Sequence, residues 1–127
     1  MKMDGSYMDK RATDSRKVKD DLELKIIRGY YGEDGQAPTI KKISEDYNIG
    51  VTTASAVMRS LVDEDVLYAL QGKGFYVVPD CVPRLAEKHR KILEKRMESL
   101  IEYSNVLGVD FIELATKMYQ DKNSIKE

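Results

Sequence analysis

Hydroxyl-bearing and cationic side chains gather at three places in this 127-residue chain. Thr39 and Lys41 follow Pro38 at the start of one apolar-patterned run. Gly50, Val51, Thr52, Thr53 and Ser55 open a second run, with Arg59 further along it. Lys73 stands between Gly72 and Gly74. Hydroxyls near a helix N-terminus can bond an anion that the helix dipole already favours there. Lysine and arginine supply the positive charge that phosphate oxygens take, and small side chains such as Val51, Thr53 and Ala54 can touch a thymine methyl. The chemistry on offer is therefore recognition of a phosphate backbone and of base edges. Plainer roles compete with it. Thr52 and Thr53 can cap a helix, Lys73 can be a solvated hairpin tip, and Asp63 is an ion-pair partner at i+4 from Arg59.

Covalent and metal chemistry are poorly provided for. His89 is the only histidine and Cys81 the only cysteine, and neither has a partner in the sequence that would make a triad. No His, Cys and carboxylate run has metal-ligand spacing, so no metal, no cofactor and no enzymatic activity are expected. Gly72-Lys73-Gly74 lacks the spacing of a phosphate-cradling loop. The run Asp63-Glu64-Asp65 reads as a solvated helix end. A single cysteine excludes an intramolecular disulfide and fits a reducing cytoplasm. No apolar run approaches the roughly 18 residues of a membrane span, and residues 1–10 lack the apolar core of a signal peptide. A cytoplasmic protein with no membrane partner is expected.

Composition bounds the rest. Hydrophobic residues make up 42% and charged residues 34%, which suits a globular chain. The net charge is −1, so there is no global basic signal. Residues 1–80 carry 12 Lys and Arg against 14 Asp and Glu. A surface that binds nucleic acid must therefore be a local patch.

The elements that would position these residues can be read from periodicity. Residues 1–13 are polar and unpatterned, an expected loose arm. After a cap at Ser15, Val18, Leu22 and Ile26 repeat at helical spacing, stopping at Gly29. The stretch Tyr30-Tyr31-Gly32-Glu33-Asp34-Gly35 reads as a loop. Thr39 is the expected N-cap of a short helix with Ile40, Ile43 and Tyr47 on one face; Lys42 replaces the acid of a capping box, and Asn48 ends the helix. A second helix, starting near Gly50 or Val51, carries Ala54, Val57, Met58, Leu61 and Val62. Two helices joined by a turn of this length predict a helix-turn-helix. Apolar runs at 66–70 and 75–78, separated by Gln71-Gly72-Lys73-Gly74, predict a hairpin. From Pro83 onward one long helix with a narrow apolar seam is expected, then a break at Gly108 and a final helix capped by Asp110.

The stretch 27–77 resembles the GntR-type winged-helix domain. Ile27-Arg28-Gly29-Tyr30 and Gly35-Gln36-Ala37-Pro38-Thr39 match the first part of its pattern. Lys41, Ile43 and Ser44 fall where that family has Arg, Leu and Ala, and Gly72-Lys73-Gly74-Phe75-Tyr76-Val77 matches its wing. Residues 100–119, with Tyr103-Ser104-Asn105-Val106-Leu107-Gly108-Val109, resemble the two-helix tail of the small YtrA-like branch. The departures lie in the reading helix. Gly50 and Val51 stand where relatives have Ser-Arg or Asn-Pro, Ser55 where many have Arg, and Asp65 where a Gly often follows. Arginine readout of guanine is thus poorly provided for, which leaves either an A·T-rich site read by small side chains and DNA shape or weak binding to DNA.

The resemblance implies a mainly α fold with a small β-hairpin: a winged helix-turn-helix over 14–79, then a two-helix dimerisation tail over 80–127. It implies a homodimeric repressor of a palindromic operator in double-stranded DNA, touching it through Thr39, Lys41, Gly50, Val51, Thr52, Thr53, Ser55, Arg59, Gly72, Lys73 and Gly74. The apolar seam of the tail, Leu85, Ile92, Leu100, Leu107, Phe111 and Leu114, would join the two copies. A small-molecule effector at the dimer interface carries no residue signature. The acidic balance and missing arginines motivate a second reading, a protein-interaction module built on a winged helix that no longer reads bases.

Overall fold

The computed structural model of the chain describes residues 10–32 and 35–126. The elements run α1 (Lys10–Ile27), α2 (Ile40–Tyr47), α3 (Val51–Asp63), β1 (Leu67–Leu70), β2 (Gly74–Val77), α4 (Val82–Leu107) and α5 (Phe111–Lys126). The chain divides into two units, residues 1–86 and 87–127. The first is a winged helix-turn-helix, and helices make up the second.

α1 buries the expected stripe, Val18, Leu22 and Ile26. Its start differs from the sequence expectation: the helix begins at Lys10, not after a cap at Ser15. Lys10, Arg11 and Ala12 are good helix formers, and no glycine or proline separates them from the stripe. Residues 1–9 of the expected arm lie outside the described residues. The helix stops where predicted. The Tyr30 N–H donates to the Lys25 carbonyl (2.9 Å) and the Gly29 N–H to that of Ile26 (3.0 Å), which uses up two carbonyls left over at the helix end.

α2 and α3 follow the pattern read from the sequence. Asn48 adopts a left-handed conformation (φ 54°), and the Ile49 N–H returns to the Ser44 carbonyl at 3.1 Å. The turn Asn48-Ile49-Gly50 then leads into α3. Ile43, Met58 and Leu61 have no exposure at all, and Ala54 and Val57 complete the buried face of α3. Full burial of each large apolar side chain contributes roughly 1.5–3 kcal/mol. This face, packed on α1 and α2, leaves the opposite face of α3 outward.

The hairpin pairs antiparallel, from Leu67 opposite Val77 to Leu70 opposite Gly74. Residues 35–37 lie along the free edge of β2: the Ala37 N–H donates to the Phe75 carbonyl and the Val77 N–H to the Gly35 carbonyl, both at 2.9 Å. Leu67 and Val77 point into the core, which Cys81 and Leu85 close. Leu85 therefore leaves the seam expected for a partner copy. At 2% exposure it is a core residue of its own winged helix, because the first turn of α4 packs with that core before the helix moves on.

In the second unit α4 ends at Leu107 in the same way as α1 ends. Gly108 has φ 73°, the Val109 N–H reaches the Ser104 carbonyl at 2.9 Å, and the Gly108 N–H that of Asn105 at 3.1 Å. Asp110 then caps α5 as expected, its Oδ1 accepting from the Glu113 N–H at 3.0 Å. Among the described residues no helix is long and apolar enough to cross a membrane.

Candidate nucleic-acid interface

Three pieces of the winged helix carry the site residues. The first is the N-terminal turn of α3. Gly50 is its N-cap and offers no side-chain oxygen, so no side-chain cap bond forms there. The N–H groups of a first turn have no partner within the helix, and they carry the positive end of its dipole. Val51 is 60% exposed, Thr52 is exposed, and Thr53 and Ser55 are half-buried beside them. Arg59 is exposed further along the helix. The turn thus combines unpaired donors, hydroxyls and one small apolar side chain.

The second piece is the start of α2. Thr39 caps it, its Oγ1 accepting from the Lys42 N–H at 3.1 Å. A hydroxyl both accepts and donates, so the Thr39 O–H is still available to a phosphate oxygen. Lys42 pairs with Asp46 along the helix at 3.2 Å, whereas Lys41 is exposed.

The wing tip is the third. Lys73 is exposed between Gly72 (φ 76°) and Gly74 (φ 100°). L side chains rarely take such values, so glycine is what lets the strands turn here. Behind the tip, Tyr68 and Tyr76 stack across the two strands with ring centroids 5.8 Å apart.

A polar cluster fixes α2 to α1. The Tyr47 hydroxyl donates to Asp21 Oδ2. Lys25 Nζ donates to the Tyr47 hydroxyl at 3.1 Å, pairs with Asp21 at 3.5 Å, and lies over the Tyr30 and Tyr47 rings. Burial, then the hydrogen bond to Asp21 and its negative charge, push the Tyr47 phenol far above its ordinary value. Burial, with Tyr30 next, raises Tyr31 as well. Burial also raises the Cys81 thiol, against a smaller lowering by Arg84. A thiol held protonated is a weak nucleophile.

The sequence reading missed the residues that hold this apparatus in place. Arg84 donates to the carbonyls of Glu64 (3.3 Å) and Asp65 (2.8 Å), just past the end of α3. Lys19 of α1 pairs with Glu64 at 2.5 Å. Asp65 has φ 60°, which explains why glycine suits this position in relatives, and Arg84 is bonded to its carbonyl there. These contacts span about twenty residues or more of sequence, and no local pattern announces them.

The second unit holds an apolar cleft of about 560 Å³ between the end of α4 and α5. Leu100, Leu107, Phe111 and Leu114 of the expected seam line it, joined by Tyr103 and Met118. Ile92 lies outside it, half-buried on α4.

Comparison with known proteins agrees with the geometry. Residues 14–77 match the family model described as bacterial regulatory proteins, gntR family. A GntR family transcriptional regulator from Listeria monocytogenes superposes with a TM-score of 0.67 at 16% identity, over 84% of this chain and 92% of that one. A transcriptional regulator from Oenococcus oeni does so with a TM-score of 0.64 at 15% identity, over 99% and 100%. The DNA-binding domain of AraR in complex with operator ORX1 covers 61% of this chain and 90% of its own, with a TM-score of 0.51 at 22% identity. No curated protein sequence matches the chain.

Proposed function

We propose that this chain, which belongs to the GntR family of bacterial regulatory proteins and is a DNA-binding transcription regulator, works as a homodimeric repressor. In this reading α3 enters the major groove N-terminal turn first. Thr52, Thr53 and Ser55 meet phosphates and base edges, and Val51 meets a thymine methyl. Thr39 and Lys41 hold the backbone from α2, and Lys73 holds it from the wing. Two such units related by a two-fold axis require a palindromic operator. Occupying a promoter in this way blocks polymerase.

One observation carries the reading. Ala54, Val57, Met58 and Leu61 bury one face of α3, while Gly50, Val51, Thr52 and Arg59 of the same helix stay exposed. An exposed helix start whose cap has no side chain is a ready anion site. The AraR domain solved on an operator shares this fold, which supports the same use here. The apolar cleft of the second unit supports the dimer, since exposed apolar surface of this kind is usually covered by a partner.

Charge reversal tests the reading. Lys41→Glu with Lys73→Glu should abolish binding to a pool of random duplexes at low salt while the far-ultraviolet circular dichroism stays that of the parent. Unchanged duplex binding would contradict it. A parent protein that binds no duplex would move the weight to a protein-interaction module.

A further inference from the structure

A residue between two glycines is the most costly kind to hold still, since glycine loses more conformational freedom on ordering than any other residue. Lys73 is in this position, yet its backbone is held from three directions. Its N–H donates to the Leu70 carbonyl at 2.9 Å. Its carbonyl accepts from Gln36 Nε2 at 3.0 Å and from the Tyr76 hydroxyl at 3.2 Å. Both lone pairs of that oxygen are thereby used. Gly74 makes room for the first of these bonds: a Cβ on it would lie 3.3 Å from Gln36 Nε2.

Each donor belongs to a residue that is held elsewhere as well. The backbone of Gln36 is bridged to Tyr76, between the two hydrogen bonds that run 35–37 along β2. The Tyr76 ring is stacked on Tyr68. Gln36 also stands three residues before Thr39, the cap of α2. One short segment therefore ends in the cap of the supporting helix and grips the wing tip 37 residues away.

We propose that Gln36 and Tyr76 are positioning residues for DNA binding, clamping the Lys73 carbonyl so that the wing presents its ammonium group in one orientation. The proposal rests on the reading that the winged helix binds duplex DNA. The clamp acts before binding. It removes in the free protein the conformational freedom that the tip would otherwise lose on the duplex. Gln36 and Tyr76 need touch no nucleic acid themselves.

A double-mutant cycle on a fixed mixed-sequence 30-base-pair duplex tests it at low salt, with each variant checked for parent-like circular dichroism. Lys73→Ala should weaken binding and lower the salt slope by about one unit. Gln36→Ala and Tyr76→Phe should each weaken binding roughly three- to tenfold, the range expected for one hydrogen bond. In the Lys73→Ala background the same two changes should have no further effect, because nothing is left to position. Damage to the fold would weaken binding in both backgrounds, so losses that persist with Lys73→Ala overturn the clamp. It is overturned equally if Gln36→Ala and Tyr76→Phe bind like the parent, or if Lys73→Ala itself has no effect. In each of those cases the parent still binds duplex and the DNA-binding reading stands. A parent that fails to bind any duplex overturns that reading, and the clamp with it.

Discussion

Met58 of α3 has no solvent exposure, while Met118 of α5 is 62% exposed. The contrast extends to their neighbours. Ile43 and Leu61 are fully buried in the first unit, whereas in the second Val106 is 84%, Tyr119 72% and Ile112 70% exposed. Among the described residues, the fully buried apolar side chains belong to the first unit. The second leaves many of its apolar side chains on the surface, around the cleft between α4 and α5. One unit is closed around its own core; the other keeps exposed apolar surface of the kind that commonly marks interaction sites. That difference matches the division of labour proposed above, with one unit for DNA and the other for the second copy.

The largest effect that can break this comparison is the same truncation made in both units. Met58→Ala should destabilise the protein by about 2–5 kcal/mol in urea unfolding, the range for a large buried residue cut back to alanine. Met118→Ala should cost under about 0.5 kcal/mol at concentrations where the protein is monomeric. Its cost should grow with protein concentration if the proposed second copy covers Met118. Equal costs at high dilution would remove the distinction between the units.

The next test acts on the cleft alone. Leu107→Glu with Leu114→Glu places two charges on its lining, and the proposed dimer should weaken at least tenfold in sedimentation equilibrium, since uncompensated buried charge is costly. The winged helix should keep its unfolding midpoint. A dimer that survives would put the interface elsewhere.

A smaller effect sharpens the account of how α2 is held. Tyr47 has its pKa raised by burial and by Asp21. A raised pKa means that the folded state holds the proton more tightly than the unfolded chain. The associated stability is fully present below the ordinary value of 10.0 and is lost as pH rises beyond it. The raised Tyr31 and Cys81 act in the same direction, with Cys81 leaving its ordinary value already at 9.0. Unfolding midpoints should therefore fall above about pH 9–10, and Tyr47→Phe should flatten part of that fall. A parent and a variant with identical profiles would show that the Asp21 contact contributes nothing. Smallest of all, Thr39→Ala removes one cap bond and should cost about 1 kcal/mol in the same measurement.

Much of this molecule was legible because its signals are local. The stripe Val18, Leu22 and Ile26, the caps Thr39 and Asp110, the helix-ending Asn48 and the glycines around Lys73 each act within a few residues of themselves. Periodicity and turn chemistry found them for that reason. The helix start at Lys10 was missed because a polar run with good helix propensity looks like a loose arm when no apolar stripe marks it. Leu85 was misplaced for a related reason. An apolar position on a long amphipathic helix does not say which surface will cover it, and the first turn of α4 belongs to the winged-helix core. Gln36, Arg84 and Asp21 escaped because their partners lie 19 to 37 residues away. Each offers an ordinary polar side chain whose role exists only once the chain has folded.

Selection of bound duplexes from a random pool at moderate salt tests the central claim most directly. The account predicts enrichment of a palindromic, A·T-rich site, bound by the dimer with a steep dependence on salt. No enrichment, from protein shown to be folded and dimeric, would contradict it.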